Sequence, residues 1–253
     1  MDRTSRFDEK NYVFNQESQN GIYLIHGFTN TTYEVKKIAQ YLSEKGYHTV
    51  ANNLPGHGTT IEECNRVKYH DWLSAIEQDL AELASKCKKI HIIGSSMGGV
   101  LGLYLATKFP INSLVVAAPV FKFKSEFKTR ILVPLLNKLI PKREKSSQYS
   151  NGKSMKFYGY SYYPNKALNE FRKLTTIIRK KLINIKCPIL MIYSESDLTC
   201  IMENYHIVND NISSKVKEEL ILKKISHNMF VDDKYPNELN QIYKTIENFI
   251  GKF

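Results

Sequence analysis

The chain has 253 residues, which is long enough for one α/β domain with a sizeable core, or for such a core with an inserted subdomain. Its hydrophobic fraction of 42% and charged fraction of 24% are those of a globular protein, and no run approaches the roughly 18 apolar residues of a membrane span. The first twenty residues are polar and hold no apolar leader, so we expect a cytoplasmic protein. The four cysteines form no C-x-x-C pair, which predicts neither a zinc site nor a disulfide framework.

The net charge of +11 is concentrated in one segment. Residues 121–186, called the basic segment below, hold 17 lysines and arginines against 3 acidic residues, a net charge of +14; the rest of the chain holds 19 against 22, or −3. Such a charge raises nucleic-acid binding as a function, but the segment carries no recognised motif for it, and we expect no nucleic-acid partner. Two interpretations stay open: a solvated helical surface, or a surface that contacts anionic lipid or attracts acidic substrates.

Short apolar strands and helices alternate along most of the chain. Strands are predicted at 21–25, 47–51, 90–93, 113–118, 188–193 and 219–222, and helices at about 33–45, 70–86, 100–106, 201–208 and 237–250. This alternation predicts an α/β fold with a mostly parallel central sheet flanked by helices. Ligands of such sheets bind at the carboxyl ends of the strands.

The alternation stops between Pro119 and Lys186. This stretch is predicted to be helical around 131–136 and 167–183, and no sheet strand is expected in it. The tyrosine-rich run Phe157–Tyr163 is expected to pack locally. We therefore predict a core formed by residues 1–120 and 187–253, with the basic segment 121–186 inserted as a small cap.

The turn Gly94-Ser95-Ser96-Met97-Gly98 fits the G-x-S-x-G pattern, in which a strained turn between a strand and a helix lifts one serine above the sheet. A β-branched apolar run precedes it and a helix-forming run follows it, as that geometry requires. Ser96 is the predicted nucleophile. Ser95 stands at the variable position of the pattern and is given no role.

A serine hydroxyl needs a histidine to take its proton and an acid to orient that histidine. Of the seven histidines, His227 alone lies in a loop after a strand downstream of Ser96. The chain order serine, acid, histidine nominates Asp197 as the acid, with Glu195 as its rival. His57, between two glycines, is expected to support its own loop through hydrogen bonds.

An acyl-transfer site also needs donors for the developing oxyanion. In a turn of the G-x-S-x-G type, called a nucleophile elbow, one donor is the backbone N–H of the residue after the serine, here Met97. The second donor is a backbone N–H from the loop after an early strand, where Phe28 is the candidate. Both side chains are apolar, which favours an aliphatic acyl group over a charged one.

These residues together resemble the α/β-hydrolase family, and more narrowly the small bacterial carboxylesterases that act as monoacylglycerol lipases. The matching segments run in order through the chain: His26-Gly27-Phe28-Thr29, Lys45-Gly46-Tyr47, Gly56-His57-Gly58, Asp71-Trp72, Gly94-Ser95-Ser96-Met97-Gly98-Gly99, Asp197 and Ser226-His227. The resemblance implies a triad of Ser96, Asp197 and His227, an oxyanion hole from Phe28 and Met97, and a small cap. It implies short- to medium-chain ester substrates, with monoacylglycerols among them, and no cofactor or metal.

This sequence departs from the family pattern in two places. The loop Asp197–Cys200 lacks the valine and proline often found after the acid, and the predicted cap is unusually basic. The fold also leaves the reaction open. A serine at position 96 argues against dehalogenases and epoxide hydrolases of this fold, whose nucleophile is an aspartate. Acyltransferase, C–C bond hydrolase and perhydrolase chemistry stay open, as does a non-catalytic binding protein.

Overall fold

The computed structural model describes residues 6–145, 149–150, 153–154 and 158–253. The strands are β1 Tyr12–Phe14, β2 Asn20–Ile25, β3 His48–Ala51, β4 Lys89–Ser95, β5 Ser113–Ala117, β6 Lys142–Glu144, β7 Tyr149–Ser150, β8 Lys153–Ser154, β9 Tyr162–Pro164, β10 Ile189–Ser194 and β11 Lys217–Leu222. The α-helices are α1 Tyr33–Glu44, α2 Ile61–Cys64, α3 Tyr69–Lys86, α4 Met97–Lys108, α5 Val133–Leu136, α6 Asn165–Arg179, α7 Glu203–Asn209 and α8 Pro236–Ile250.

Seven strands form one sheet in the order β1-β3-β2-β4-β5-β10-β11, and only the β1–β3 pair is antiparallel. The predicted α/β fold with a mostly parallel sheet is therefore confirmed. The chain winds outward from β2 to β3 and then returns to β4 on the other side, so the strand order reverses between β2 and β4. Such a switch point opens a crevice at the carboxyl ends of the strands.

The middle of the sheet is buried on both faces, as the unbroken apolar runs of its strands require. Every residue of β5 and β10 is buried, whereas the exposed edge strand β11 alternates. Helix α4 is buried over its first ten residues because Gly, Val, Leu and Ala fill every face of it. The core therefore surrounds the strand-turn-helix unit β4-α4.

Several elements differ from the sequence prediction. The edge strand β1 was not predicted, and neither was the short helix α2, although Thr60 and Glu63 form a capping box that its sequence announces. The basic segment holds the short strands β6 to β9, where none was expected, but all four lie outside the central sheet. The chain leaves the sheet after β5 and returns at β10. The division into a core and a cap over 121–186 stays a prediction. Residues 146–148, 151–152 and 155–157 of this segment lie outside the described part, and the last of them is Phe157 of the tyrosine-rich run.

Helix α4 approaches the strands so closely that two positions admit no side chain. A Cβ on Gly94 would lie 2.2 Å from the carbonyl oxygen of Gly98, and a Cβ on Gly98 would lie 2.0 Å from that of Ile25. Both obstacles are backbone atoms, which cannot rotate away. Glycine at these positions thus determines the distance between α4 and the sheet.

We predict that Gly98→Ala destabilises the fold by about 2 kcal/mol or more, because the new methyl group must displace backbone. Gly102→Ala is the matched control on the same helix. Its Cβ would meet only the side chains of Leu114 and Ile92, at 3.1 and 3.2 Å, and alanine is the better helix former by about 1 kcal/mol. Urea unfolding should place Gly102→Ala within about 1 kcal/mol of the unmodified protein. Equal stabilities of the two variants would contradict the argument.

Candidate active site

Ser96 occupies the turn between β4 and α4 in a strained backbone conformation. Its φ is 52° and its ψ is −113°, a region that non-glycine residues rarely adopt. The turn is held by the N–H of Ser96, which donates to the carbonyl of Ala117 at 2.8 Å, and by the N–H of Val100, which donates to the carbonyl of Ser96. The strain is thus balanced by bonds to the neighbouring strand and to the helix.

The structure brings Ser96, His227 and Asp197 into one hydrogen-bonded line. His227 Nε2 lies 2.9 Å from Ser96 Oγ, and His227 Nδ1 lies 2.6 Å from Asp197 Oδ2. The carboxylate accepts a hydrogen bond from Nδ1–H, which leaves Nε2 as the acceptor for the serine hydroxyl. This is the arrangement that converts a hydroxyl into a nucleophile.

The side chain of Asp197 is fully buried, and backbone donors fix it in place. Its Oδ1 accepts hydrogen bonds from the N–H groups of Thr199 at 2.7 Å and Cys200 at 2.9 Å. Glu195, the rival acid, is exposed. The sequence nominated Asp197 and left Glu195 as its rival, since both follow β10 by one to three residues; of the two, Asp197 is the one bonded to His227.

Nearby carboxylates raise the pKa of the His227 imidazole. Burial alone would lower its pKa, but the Asp197 carboxylate and its hydrogen bond raise it, with a further contribution from Glu34, so that the pKa lies above the ordinary 6.5. A base with a raised pKa gains more from accepting a proton. It also loses its basic form as the pH falls through that raised value.

The two expected oxyanion donors are the N–H groups of Phe28 and Met97. Phe28 lies in the loop after β2, and Met97 is the first residue of α4. None of the hydrogen bonds between described residues uses either N–H group. Both segments end at the sheet edge that carries Ser96, so the two groups are available to a substrate oxygen.

Glu34 is a buried carboxylate beneath this site that the sequence did not single out. It lies in the first turn of α1 with 1% of its surface exposed. Its Oε2 accepts from the Gly27 N–H at 2.6 Å and its Oε1 from the Ser95 hydroxyl at 2.8 Å. Its sequence position gave no sign of these bonds, because a glutamate in the first turn of a helix is usually explained by its favourable contact with the helix dipole.

His26 and His57 are buried and neutral. Burial lowers the pKa of His26 to about 4 and that of His57 well below 6.5. His26 joins two loops: its Nδ1 lies 2.9 Å from the Gly27 carbonyl, and its Nε2 accepts from the Leu54 N–H at 3.0 Å. His57 Nδ1 lies 3.2 Å from the carbonyl of Pro55, within its own loop, as expected of a supporting residue.

Aromatic side chains form a wall beside the loop after β2. The ring of Phe28 lies 5.8 Å from that of Phe171 on α6 and 6.4 Å from that of Trp72 on α3, measured between centroids. Phe123 packs edge-on against Phe171 at 5.8 Å. The basic segment therefore contributes two of the four rings, so that this apolar cluster joins it to the loop after β2 and to α3.

The tyrosine-rich run fastens the basic segment to the core rather than packing only on itself. The hydroxyl of Tyr160, which is fully buried, donates to the carbonyl of Gly56 at 2.8 Å, and its N–H donates to the carbonyl of Thr29. Gly159 has a φ of 69°, and a Cβ there would lie 1.8 Å from the Thr29 carbonyl oxygen. Positive φ and close approach together require glycine at this point.

Two bacterial relatives match most of the chain. A thermostable monoacylglycerol lipase of Bacillus sp. strain H-257 is 28% identical over 223 residues, which cover 85% of this chain and 86% of the relative. A carboxylesterase of Bacillus subtilis strain 168 is 25% identical over 232 residues, covering 91% and 92%. These names agree with the family resemblance stated from the sequence.

Solved structures share the fold over nearly the whole chain. A structure from work on the metagenome-derived lipolytic enzymes LipS and LipT has a TM-score of 0.86 at 24% identity and covers 97% of this chain and 98% of its own. A soluble variant of the monoglyceride lipase from Saccharomyces cerevisiae has a TM-score of 0.78 at 17% identity, with coverages of 100% and 95%.

The predicted resemblance to α/β-hydrolases, and within them to carboxylesterases and monoacylglycerol lipases, is therefore confirmed. The sequence model of the family Hydrolase_4, described as serine aminopeptidase, S33, matches residues 16–234. Since that match spans most of the chain, the protein is a hydrolase that belongs to this family of α/β-hydrolases.

Proposed function

We propose that this hydrolase is a serine carboxylesterase that cleaves short- to medium-chain acyl esters, monoacylglycerols among them, through an acyl-enzyme intermediate. The observation that carries the proposal is the hydrogen-bonded line from Asp197 through His227 to Ser96. The names of the bacterial relatives support the ester class, and the apolar wall around Phe28 supports an aliphatic acyl group.

In the proposed mechanism, Ser96 Oγ attacks the ester carbonyl carbon while His227 Nε2 takes its proton. The carbonyl oxygen becomes an oxyanion that accepts hydrogen bonds from the N–H groups of Phe28 and Met97. The Asp197 carboxylate stabilises the imidazolium, which then protonates the leaving alcohol as the C–O bond breaks. Water, deprotonated by His227, attacks the acyl-enzyme and releases the carboxylic acid and free Ser96.

The family description also names an aminopeptidase activity, which serves as the second candidate. An exopeptidase of that kind must bind a free α-ammonium group, and a carboxylate is the usual partner for it. The basic segment that contributes to the apolar wall carries a net charge of +14. The two buried carboxylates at the site already have partners: Asp197 is bonded to His227, and Glu34 accepts from Gly27 and Ser95. The engaged carboxylates and the net positive charge of the basic segment thus favour an ester over a peptide N-terminus.

We further propose that the basic segment forms the cap over this site and that it contacts anionic lipid. Phe127, Ile131 and Leu135 are spaced four residues apart in a helical stretch that includes a π-helical turn, Lys128–Leu132, and Leu139 lies in the turn after α5. Their exposed fractions are 66%, 48%, 69% and 79% in chain order. We call these four side chains the apolar stripe. Residues at this spacing lie on one face of a helix.

Exposed lysines accompany the apolar stripe, among them Lys124, Lys128 and Lys138. An exposed apolar face next to basic side chains is the composition of helices that lie in the interface of an anionic bilayer. No helix within the described ranges is both long enough and apolar enough to span a membrane. The proposed contact is therefore peripheral, and the cytoplasmic location stays a prediction.

We predict that Ser96→Ala lowers kcat for p-nitrophenyl esters by about 10⁴-fold or more, because the oxyanion donors and substrate binding alone sustain only a small residual rate. The series from acetate to palmitate, measured with and without the substitution, defines the acyl length. Ser85→Ala, an exposed serine of α3, is the control. Activity that survives in Ser96→Ala, or cleavage of aminoacyl p-nitroanilides in preference to esters, would contradict the proposal.

We predict that Asp197→Asn lowers kcat by about 10³-fold or more, since an amide can donate to Nδ1 and so favour the wrong histidine tautomer. Glu195→Gln should leave kcat within about twofold of the unmodified protein, since its side chain is exposed. Steady-state kinetics of both variants on one ester test the assignment. It would be wrong if Glu195→Gln were the more damaging of the two.

We predict that the protein co-sediments with phosphatidylglycerol vesicles at low salt, that high salt releases it, and that phosphatidylcholine vesicles bind it less. The double substitution Leu135→Ser with Leu139→Ser should weaken binding by about 10-fold or more, because it removes two large apolar side chains from the contact. Val13→Ser, on the edge strand β1, removes an apolar side chain with 45% exposure from outside the apolar stripe and should have no effect. The lipid proposal fails if phosphatidylglycerol vesicles do not bind the protein at low salt.

A further inference from the structure

The buried carboxylate of Glu34 lies between the two halves of the candidate oxyanion hole. One of its oxygens is bonded to Gly27, the residue before Phe28, and the other to Ser95, the residue before Ser96. A Cβ on Gly27 would lie 3.2 Å from Glu34 Oε2 and 3.2 Å from Ser96 Cβ, so the loop is held tightly between the carboxylate and the nucleophile. One side chain therefore connects the loop after β2 with the elbow after β4.

We propose that Glu34 is a positioning residue of the esterase: it sets the distance between the two oxyanion donors and supplies a second negative charge, beside that of Asp197, to the imidazolium of His227. This inference rests on the proposed function and deepens it. Glu34 touches no reacting atom, so it acts only through Gly27, Ser95 and His227.

The positioning part follows from the bonds. Phe28 and Met97 belong to different segments, and an oxyanion hole works only when both N–H groups point at one oxygen. Glu34 accepts from the residue before Phe28, while Ser95 is two residues before Met97. A carboxylate that accepts from both segments at 2.6 and 2.8 Å limits their relative movement.

The charge part follows from the groups around His227. The carboxylates that act on it are Asp197, from the loop after β10, and Glu34, from α1. Asp232 accepts from the N–H of Ser226, the residue before His227. Burial raises the pKa of Glu34 above the ordinary 4.5, opposed by its bonds to Gly27 and Ser95 and by the charge of His227. The hydrogen bonds from Gly27 and Ser95 to its two oxygens favour the ionised form against the effect of burial.

One cation also acts on Glu34 and titrates in the same range. Burial lowers the pKa of Lys145 in the basic segment to about 7, partly opposed by the charge of Glu34. Its Nζ donates to the carbonyl of Tyr158 at 3.3 Å. The test must therefore separate the proton of Lys145 from that of His227. Lys145→Met removes the titrating amine, so a titration that persists in this variant does not belong to Lys145.

The variants separate charge from connection. Glu34→Gln removes the charge but keeps the shape: its amide oxygen can accept from Gly27 and its NH₂ can donate to the Ser95 oxygen. Ser95→Ala keeps the charge and removes the bond to the elbow. Glu44→Gln is the matched control, since Glu44 is an exposed glutamate at the other end of α1.

We predict that the imidazole of His227, followed by NMR across pH, titrates at lower pH in Glu34→Gln than in the unmodified protein. The sign follows from linkage: removing a negative charge destabilises the imidazolium, so its proton is lost at lower pH. The acid limb of kcat/KM should move in the same direction, and Glu44→Gln should change neither. Ser95→Ala should lower kcat about 10-fold with little change in KM and a smaller change in the titration.

The proposal is overturned if the His227 titration is unchanged in Glu34→Gln. It is also overturned if kcat of Ser95→Ala equals that of the unmodified protein. The titration needs no substrate, so it is independent of the proposed function. If Glu34→Gln shifts the titration in a protein that shows no Ser96-dependent ester hydrolysis, the esterase assignment fails while the second charge on His227 stands.

Discussion

The close approach of helix α4 to strands β2 and β4 is the constraint on which the site depends. Gly98 lies against the backbone of Ile25 and Gly94 against that of Gly98, so no side chain separates the helix from the sheet. This closeness forces the turn at Ser96 into a positive φ, and the turn in turn presents both the serine hydroxyl and the first N–H of the helix at the same edge. Strain at one residue is thus balanced by the packing of a helix whose first ten residues are buried and whose apolar surface stabilises the fold around it.

Two carboxylates act on His227, one in contact with its ring and one without a bond to it. Asp197 is oriented by two backbone N–H groups and is bonded to the ring of His227. Glu34 is bonded to Gly27 and Ser95 instead, and acts on the ring through its charge. His26 and His57, although close to the same loop, are kept neutral by burial and serve as hydrogen-bonding supports. Three histidines in one region therefore have different protonation behaviour, determined by which of them has a carboxylate partner. The sequence indicated His227 as the base and His57 as a support, but the burial that keeps His26 and His57 neutral follows from the fold.

The elements of the core follow from local patterns, because buried strands read as apolar runs and covering helices repeat every three to four residues. The elbow motif and the order of strands also indicated which loops would meet at one edge. The choice between Asp197 and Glu195 depended on which side chain the fold buries, and the pairing of Glu34 with Ser95 joins residues 61 positions apart. Neither leaves a local signal. The small strands of the basic segment are two to three residues long, too short for any periodicity to show.

The anchoring of Tyr160 among the loops of the core bears on how such proteins diversify. Its ring hydroxyl bonds to Gly56, and the glycine before it fits against Thr29 with no room for a methyl group. The anchor belongs to the basic segment, whereas its socket is formed by Thr29 in the loop after β2 and Gly56 in the loop after β3. A segment transplanted from another hydrolase would therefore need a glycine and a tyrosine in register with this socket, whatever the rest of its sequence. Replacement of the basic segment in this protein is thus constrained by two adjacent residues at a contact outside the catalytic line.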